Sequence, residues 1–358
     1  MPSFPSNPDS ITADWVNTCL TKSGYLTSGK VTNLRWQSLG TGQVADSVRF
    51  YLEYDRAGDG PATLAAKFPA QDQVSSKTAA MMGLYKKEVL FYREIAKQIG
   101  VRVPKTFAAE VNEDGSEFIL LFEDLKPKRI GNQLNSCSFE DAKNAILQAA
   151  ALHAPSWKND EILNLHWLHP NKNVKEQVSS LYPKAQAVFK ERYSEALEPE
   201  FMKVCNELAE CETWFERGNP ELSLIHGDFR LDNMLFNILN GEEEIGILDW
   251  QTVSVGHPMT DIGYFLGCGI GDQLRRRHED QLLDIYCREM GARGVPLRRN
   301  EIWNDYVIGA LHGVSTAVFS SAFVERTERG DANFLSMARG ACALALQHKS
   351  LNVLKECK

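Results

Sequence analysis

Apolar and polar residues alternate along the first third of the chain, the period expected of half-buried strands. Residues 31–39 and 47–54 read as strands, separated by a glycine-rich break at Gly40-Thr41-Gly42. The turn Gly58-Asp59-Gly60-Pro61 precedes a third strand over 62–68. One long helical pattern over 78–99 follows, then two strands near 105–111 and 117–122 joined by a turn at 112–115. From Phe139 the period becomes helical, through 139–153 and most of 173–217, with many Glu and Lys. An apolar run at 222–225 interrupts it, a hairpin pattern fills 234–238 and 244–248, and beyond Thr260 the chain is helical. The expected fold class is α+β and bilobal. Residues 1–123 form a small β-rich lobe, an antiparallel sheet with one long helix; residues 124–358 form a larger, mostly helical lobe. A cleft between two such lobes is the default ligand site.

The polar residues that break the apolar runs carry the chemistry. Within 222–249, Asp228, Asn233 and Asp249 stand among apolar neighbours. Asn240-Gly241 signals a type I′ hairpin, and folding the chain there pairs positions whose numbers sum to about 481. Asn233 and Asp249 fall within one residue of that register, an amide oxygen opposite a carboxylate. Oxygen ligands of this kind suit a hard, hydrated cation such as Mg²⁺. Asp228, on the loop entering the hairpin, is a separate carboxylate that can orient a hydroxyl and accept its proton.

In the β-rich lobe, Lys67 shares a strand face with the small residues Thr63 and Ala65, while Leu64, Ala66 and Phe68 take the other. On the following helix Met81, Leu84, Phe91, Ile95 and Ile99 mark an apolar stripe, and Glu88 falls on it. A carboxylate on a buried face is expensive unless paired, and Lys67 is the candidate partner. The backbone at Gly40 and Gly42 can approach a phosphate closely. No Gly-Lys-Ser/Thr follows, so this is not a Walker A loop. Gly267, Gly269 and Gly271 lie in helical pattern and read as packing or helix-breaking positions.

Composition narrows the class. With 43% hydrophobic and 24% charged residues, the 358-residue chain is ordinary globular usage. A net charge of −8 and a pI near 5.6 give no basic surplus for nucleic acid. No run approaches the roughly 20 apolar residues of a membrane span. Residues 1–10 lack the basic and apolar regions of a secretory leader. Eight scattered cysteines without a CxxC pair argue against structural zinc and for reduced thiols, hence a cytoplasmic protein.

These motifs resemble the aminoglycoside phosphotransferase and choline kinase-like superfamily, which has the protein-kinase fold. The resemblance spans roughly residues 30–270. His226-Gly227-Asp228 with Asn233 is similar to its catalytic loop, Asp249-Trp250-Gln251 sits where protein kinases have Asp-Phe-Gly, and Pro258-x-x-Asp261 resembles the downstream aspartate that braces the loop. The wording HGDFRLDNMLF, ILDWQ and HPMTDIGYFLG is closest to the kinase-like domains fused to some acyl-CoA dehydrogenases and to the ecdysteroid kinase-like branch.

The resemblance implies a phosphotransferase using ATP, with GTP not excluded, and Mg²⁺. Asp228 would be the catalytic base. Lys67, fixed by Glu88, would hold the nucleotide phosphates together with the Gly40 and Gly42 backbone. The segment containing Glu123 and Leu125 would hold adenine through backbone groups, and Asn233 and Asp249 would carry the metal. Arg230 would either neutralise charge at the γ-phosphate or make a structural salt bridge. His226 would hold the loop rather than act as a base. The acceptor would be a hydroxyl of a small molecule: a sugar or aminocyclitol, an amino alcohol, a sterol or a hydroxyacyl thioester. Trp157, Trp167 and Trp214 would line an apolar acceptor pocket or belong to the core. The alternative is a nucleotide-binding pseudokinase module without catalysis; a metal-dependent phosphohydrolase is disfavoured because His226 is the only histidine near the carboxylates.

Overall fold

In the computed structural model, residues 4–41, 44–56, 60–169, 172–216, 220, 222–324 and 326–357 are described. The chain divides into two compact units. The first comprises Met1–Gln98, Val103–Pro127 and Leu248–Thr252; the second comprises Ile99–Arg102, Lys128–Ile247 and Val253–Lys358. The first unit thus includes a short late segment, and that segment carries Asp249.

The first unit is built on a five-stranded antiparallel sheet of β1 (Val31–Thr41), β2 (Ala45–Tyr54), β3 (Thr63–Pro69), β4 (Thr106–Val111) and β5 (Phe118–Glu123), in the order β1-β2-β3-β5-β4. Alternation assigns the faces. Val48, Phe50, Leu64, Ala66, Phe68, Ile119 and Leu121 point into one apolar core. Helix Ala13–Lys22 covers it with Val16 and Leu20. This helix begins where Thr12 accepts the Trp15 N–H, a capping signal that a reading of the region as strands alone overlooks.

The single helix expected over 78–99 is two. The first is Gln73–Met81, capped by Asp72, and the second is Leu84–Leu90, continued by a π-helical turn over Phe91–Ile95. Gly83 separates them at φ 70°, a left-handed conformation that most side chains disfavour. The break changes the buried stripe. Met81 is 80% exposed, while Phe91, Ile95 and Ile99 stay buried and Tyr85, Val89 and Tyr92 join them beside Glu88.

Among the described residues, the second unit holds five short strands, in two small sheets, within a helical body. β6 (Arg129–Ile130), β8 (Met234–Asn237) and β9 (Glu243–Ile247) form one small sheet, while β7 (Ser223–Ile225) pairs with β10 (Ser254–Gly256). The β8–β9 register is Met234↔Ile247 and Phe236↔Ile245, the sum of 481 read from the sequence. Asn240 at φ 62° and ψ 31° and Gly241 at φ 84° turn the hairpin, with the Glu242 N–H donating to the Leu239 carbonyl at 3.3 Å. Asn240 has the dihedrals of the first central residue of a type I′ turn and Gly241 the φ of the second, and Leu239 before them is left-handed as well at φ 52° and ψ 46°.

Helix Phe139–Ser156 opens with a capping box of Ser138 and Asp141. Helices Met259–Tyr264, Asp272–Ala292, Arg299–Phe323 and Glu328–Gln347 complete the body. Gly309 lets two helices meet: a Cβ there would lie 2.0 Å from the Met259 carbonyl oxygen. Among the described residues, Arg299–Phe323 is the one helix long and apolar enough to cross a membrane. Here it is a core helix, with Val307, Leu311, Val314 and Val318 fully buried. Trp167 is buried, and Trp214 packs partly buried against the core.

Candidate active site

The sequence-read residues fall into two groups, one in each unit. In the first unit β3 presents Lys67 on the face shared with Ala65, while Leu64, Ala66 and Phe68 turn into the core. Lys67 Nζ lies 2.9 Å from Glu88 Oε1, 2.8 Å from Oε2 and 3.0 Å from Asp249 Oδ1. Burial opposes the lysine charge, but the Asp249 and Glu88 carboxylates outweigh it and hold the ammonium above its ordinary range. Burial pushes the Glu88 carboxyl up against the pull of Lys67. The Trp250 N–H approaches Glu88 Oε1 at 3.4 Å, and the indole stacks on Phe91 with centroids 3.9 Å apart and planes at 8°. Phe91 lies about one helical turn beyond Glu88. The stack therefore fastens the segment bearing Asp249 to the helix bearing Glu88. Asp249 itself sits at φ 63°, a region where short polar residues are among the few tolerated.

Gly40, the last residue but one of β1, sits at φ 126° beyond a register shift after Ser38, and its N–H donates to Ser38 Oγ at 3.2 Å. Gly42 lies outside the described residues. Glu123 closes β5, where its carboxylate accepts the Lys105 N–H at 2.7 Å and its own N–H donates to the Lys105 carbonyl at 2.9 Å. Leu125 buries its side chain, and its backbone N–H and carbonyl make no hydrogen bond among the described residues. Between them Asp124 grips Arg49, with Nε at 2.5 Å from Oδ2 and Nη2 at 3.2 Å from Oδ1. This pair, 75 residues apart in sequence, was not legible without the strand register.

In the second unit Asp261 holds the loop that carries Asp228. It accepts the His226 N–H at 2.7 Å and the Gly227 N–H at 2.9 Å, and His153 Nε2 lies 3.2 Å away. Asp261, His226 and His153 are fully buried. Burial opposes the Asp261 charge, yet its contacts with His153 and His226 bring its carboxyl below the usual range. The His226 ring is engaged locally, its Nδ1 accepting the Asp228 N–H at 3.2 Å.

Asp228 is surrounded by donors. Its Oδ1 accepts from Tyr264 Oη at 2.7 Å and Arg230 Nε at 2.9 Å, and its Oδ2 accepts from Asn233 Nδ2 at 2.9 Å. Burial would raise its pKa, but the Arg230 charge and the Tyr264 hydrogen bond outweigh that and lower it. Arg230 also reaches Asp232 at 3.4 Å, so its side chain spans two carboxylates of its own loop. Tyr264 and Asp232 are contributors that sequence reading missed. Asp232 accepts the Gln133 N–H at 3.0 Å and Asn333 Nδ2 at 3.1 Å.

A cavity of about 550 Å³ lies in this unit, lined among others by Leu134, Phe201, Cys268, Leu335 and Ser336. Its walls belong to elements that also hold the loop. Gln133 precedes Leu134, Tyr264 lies one turn before Cys268, and Asn333 shares the helix of Leu335.

Both residues read as metal ligands keep an oxygen in reserve. Asn233 Nδ2 is occupied by the Asp228 carbonyl and carboxylate at 2.9 Å each, which fixes the amide and leaves Oδ1 without a hydrogen bond among the described residues. Asp249 gives Oδ1 to Lys67, and its Oδ2 likewise has no described partner. One amide and one carboxylate oxygen are the donor types Mg²⁺ takes while keeping several of its waters.

Comparison with known proteins follows the same lines. The sequence model of the ecdysteroid kinase-like family matches residues 44–293. The chain is 33% identical over 106 residues to acyl-CoA dehydrogenase family member 11 of Gallus gallus, covering 24% of this chain and 13% of that protein. It is 41% identical over 56 residues to the Homo sapiens protein of the same name, covering 14% and 7%. These matches thus span a small fraction of the relatives' length. Among solved structures, a candidate aminoglycoside phosphotransferase from Ralstonia eutropha JMP134 aligns with a TM-score of 0.53 at 16% identity, over 93% of this chain and 98% of that one. The GDP and kanamycin complex of APH(2")-IIia aligns with a TM-score of 0.51 at 15% identity, over 95% and 100%. These likenesses establish a kinase-like fold. With well over half of its length matched by one family model, the protein belongs to the ecdysteroid kinase-like family.

Proposed function

We propose that the protein transfers the γ-phosphoryl group of ATP to a hydroxyl of a small molecule in a Mg²⁺-dependent reaction, with GTP as the other purine nucleotide the chemistry admits. The acceptor oxygen forms a bond to the γ-phosphorus as the bond to the bridging oxygen breaks. The nucleoside diphosphate leaves, and the hydroxyl proton passes to Asp228. Such transfer depends on positioning and charge stabilisation more than on covalent help. The observation that carries the reading is the Asp228 carboxylate, kept ionised by Arg230 and Tyr264 on a loop clamped by Asp261.

Its low basicity suits a base that orients the hydroxyl and takes the proton late, when the acceptor oxygen has already become acidic. Lys67 binds the nucleotide phosphates, aimed by Glu88. The backbone at Gly40 and Gly42 would approach those phosphates, the Gly40 N–H exchanging Ser38 Oγ for a phosphate oxygen. The backbone of Glu123 and Leu125 receives the base; the N–H and carbonyl of Leu125, which make no hydrogen bond among the described residues, support this. Asn233 and Asp249 would hold Mg²⁺ through their reserved oxygens. When bound, the ion supplies charge neutralisation at the phosphate oxygens. Arg230 keeps Asp228 ionised, and its charge favours the anionic transition state. The acceptor occupies the second unit's cavity, a reading supported by the three lining elements that also contact the catalytic loop.

Titration calorimetry with Mg²⁺ and a non-hydrolysable ATP analogue tests the nucleotide half. Wild type and Asp228→Asn should bind alike, while Asp249→Ala should bind at least about tenfold more weakly. Equal affinity in Asp249→Ala would remove that residue from the metal site.

A further inference from the structure

The Lys67 face of the sheet carries a second ion pair, outside the phosphate and metal groups. In the β2–β3 register Ser47 faces Lys67 and Arg49 faces Ala65, so Arg49 lies on the same face as Lys67, two residues further along the sheet. The opposite face, with Val48, Leu64 and Ala66, is core. The guanidinium is not free to swing. Asp124 holds it through Nε and Nη2, and that carboxylate is 1% exposed while the Arg49 side chain keeps 17%. Asp124 sits between Glu123 and Leu125, the residues whose backbone would receive the base. Arg49 is thus a planar cation, fixed in orientation and partly open, between the phosphate-binding lysine and the base-binding segment.

We propose that Arg49 is a purine-stacking residue, its guanidinium plane covering one face of the nucleotide base, with Asp124 as the group that fixes that plane. This rests on the nucleotide reading of Lys67. A fixed guanidinium stacks on a π-system at low entropic cost, which the flexible ammonium of lysine does not match. Stacking on a π-face does not distinguish adenine from guanine, so Arg49 strengthens ATP and GTP binding alike.

The test is binding, not turnover. Affinities of Mg-ATP, Mg-GTP and Mg-tripolyphosphate, which has no base, would be measured by calorimetry for wild type, Arg49→Lys and Asp124→Asn. Arg49→Lys keeps a cation beside Asp124 and so avoids leaving a buried charge alone. The expected result is a loss of about three- to tenfold for both nucleotides and none for tripolyphosphate. Asp124→Asn should show a smaller loss with the same base dependence. An unchanged ATP affinity in Arg49→Lys, or an equal loss for ATP and tripolyphosphate, overturns the assignment, the second outcome making the pair a structural clip. Should Arg49→Lys unfold, as thermal melting would show, the double replacement Arg49→Met/Asp124→Leu is titrated with the same three ligands, and the same two outcomes overturn the assignment. Failure of wild type to bind either nucleotide would instead defeat the nucleotide reading itself.

Discussion

The Tyr264 hydroxyl donates to Asp228 Oδ1 at 2.7 Å, tying the proposed base to a helix that begins 31 residues later in the chain. It helps hold the Asp228 carboxyl below its ordinary pKa, after the larger opposing effect of burial and alongside Arg230. Removing the donor in Tyr264→Phe raises the Asp228 pKa. If Asp228 must be ionised to accept the proton, the acidic limb of kcat/KM then moves to higher pH, while the plateau falls by less than about tenfold. A pH–rate profile of the two enzymes checks this; coincident limbs would detach Tyr264 from the base.

Asp228→Asn keeps the size of the side chain and removes its capacity to take a proton. Turnover should fall by at least about 100-fold with Mg-nucleotide affinity within about twofold of wild type. Comparable losses in both quantities would point to a collapsed loop.

Lys67 neutralises two carboxylates, one of them buried. Lys67→Ala leaves Glu88 and Asp249 as like charges, and a broken buried pair costs about 3–5 kcal/mol. Chemical denaturation should show a loss of that order. Lys67→Ala/Glu88→Gln should recover part of it because the orphaned charge is gone. An additive double variant would mean that the two side chains do not interact in solution.

Asp261 is a stability residue whose effect depends on pH. Its folded-state pKa lies below the ordinary carboxyl value, so the unfolded chain binds its proton at higher pH than the folded one does. Its contribution is full above the unfolded value near 4 and is lost as pH falls through the depressed folded value. In Asp261→Asn one of the two backbone N–H groups loses its acceptor. Tm should therefore drop at neutral pH, by the equivalent of about 3 kcal/mol, and the gap to wild type should narrow below about pH 4. A gap independent of pH would contradict the assignment.

The features legible in the sequence are those set by local rules. Parity alone placed Lys67 opposite the core face of β3, and Asn240-Gly241 fixed the β8–β9 register because a type I′ turn admits one pairing. Glu88 was recognisable as buried from helical spacing, although Gly83 broke the helix and Met81 left the stripe, since a glycine within an apolar-periodic run does not announce its φ. Arg49–Asp124 and Tyr264–Asp228 were hidden for another reason. Each joins side chains far apart in sequence, and their meeting depends on strand order or on where a helix docks. The short helix at Ala13–Lys22 was readable from Thr12 and Asp14 and was obscured by the strand pattern that follows it.

Transfer to an acceptor hydroxyl is the central claim. Wild type and Asp228→Asn would be incubated with Mg²⁺, ATP labelled with ¹⁸O in the γ-phosphoryl group, and a metabolite extract, and labelled products resolved by mass spectrometry. The expected result is an organic phosphate ester that carries the label with wild type and is missing with the variant. Label recovered only in inorganic phosphate, or the same ions from both proteins, would contradict it.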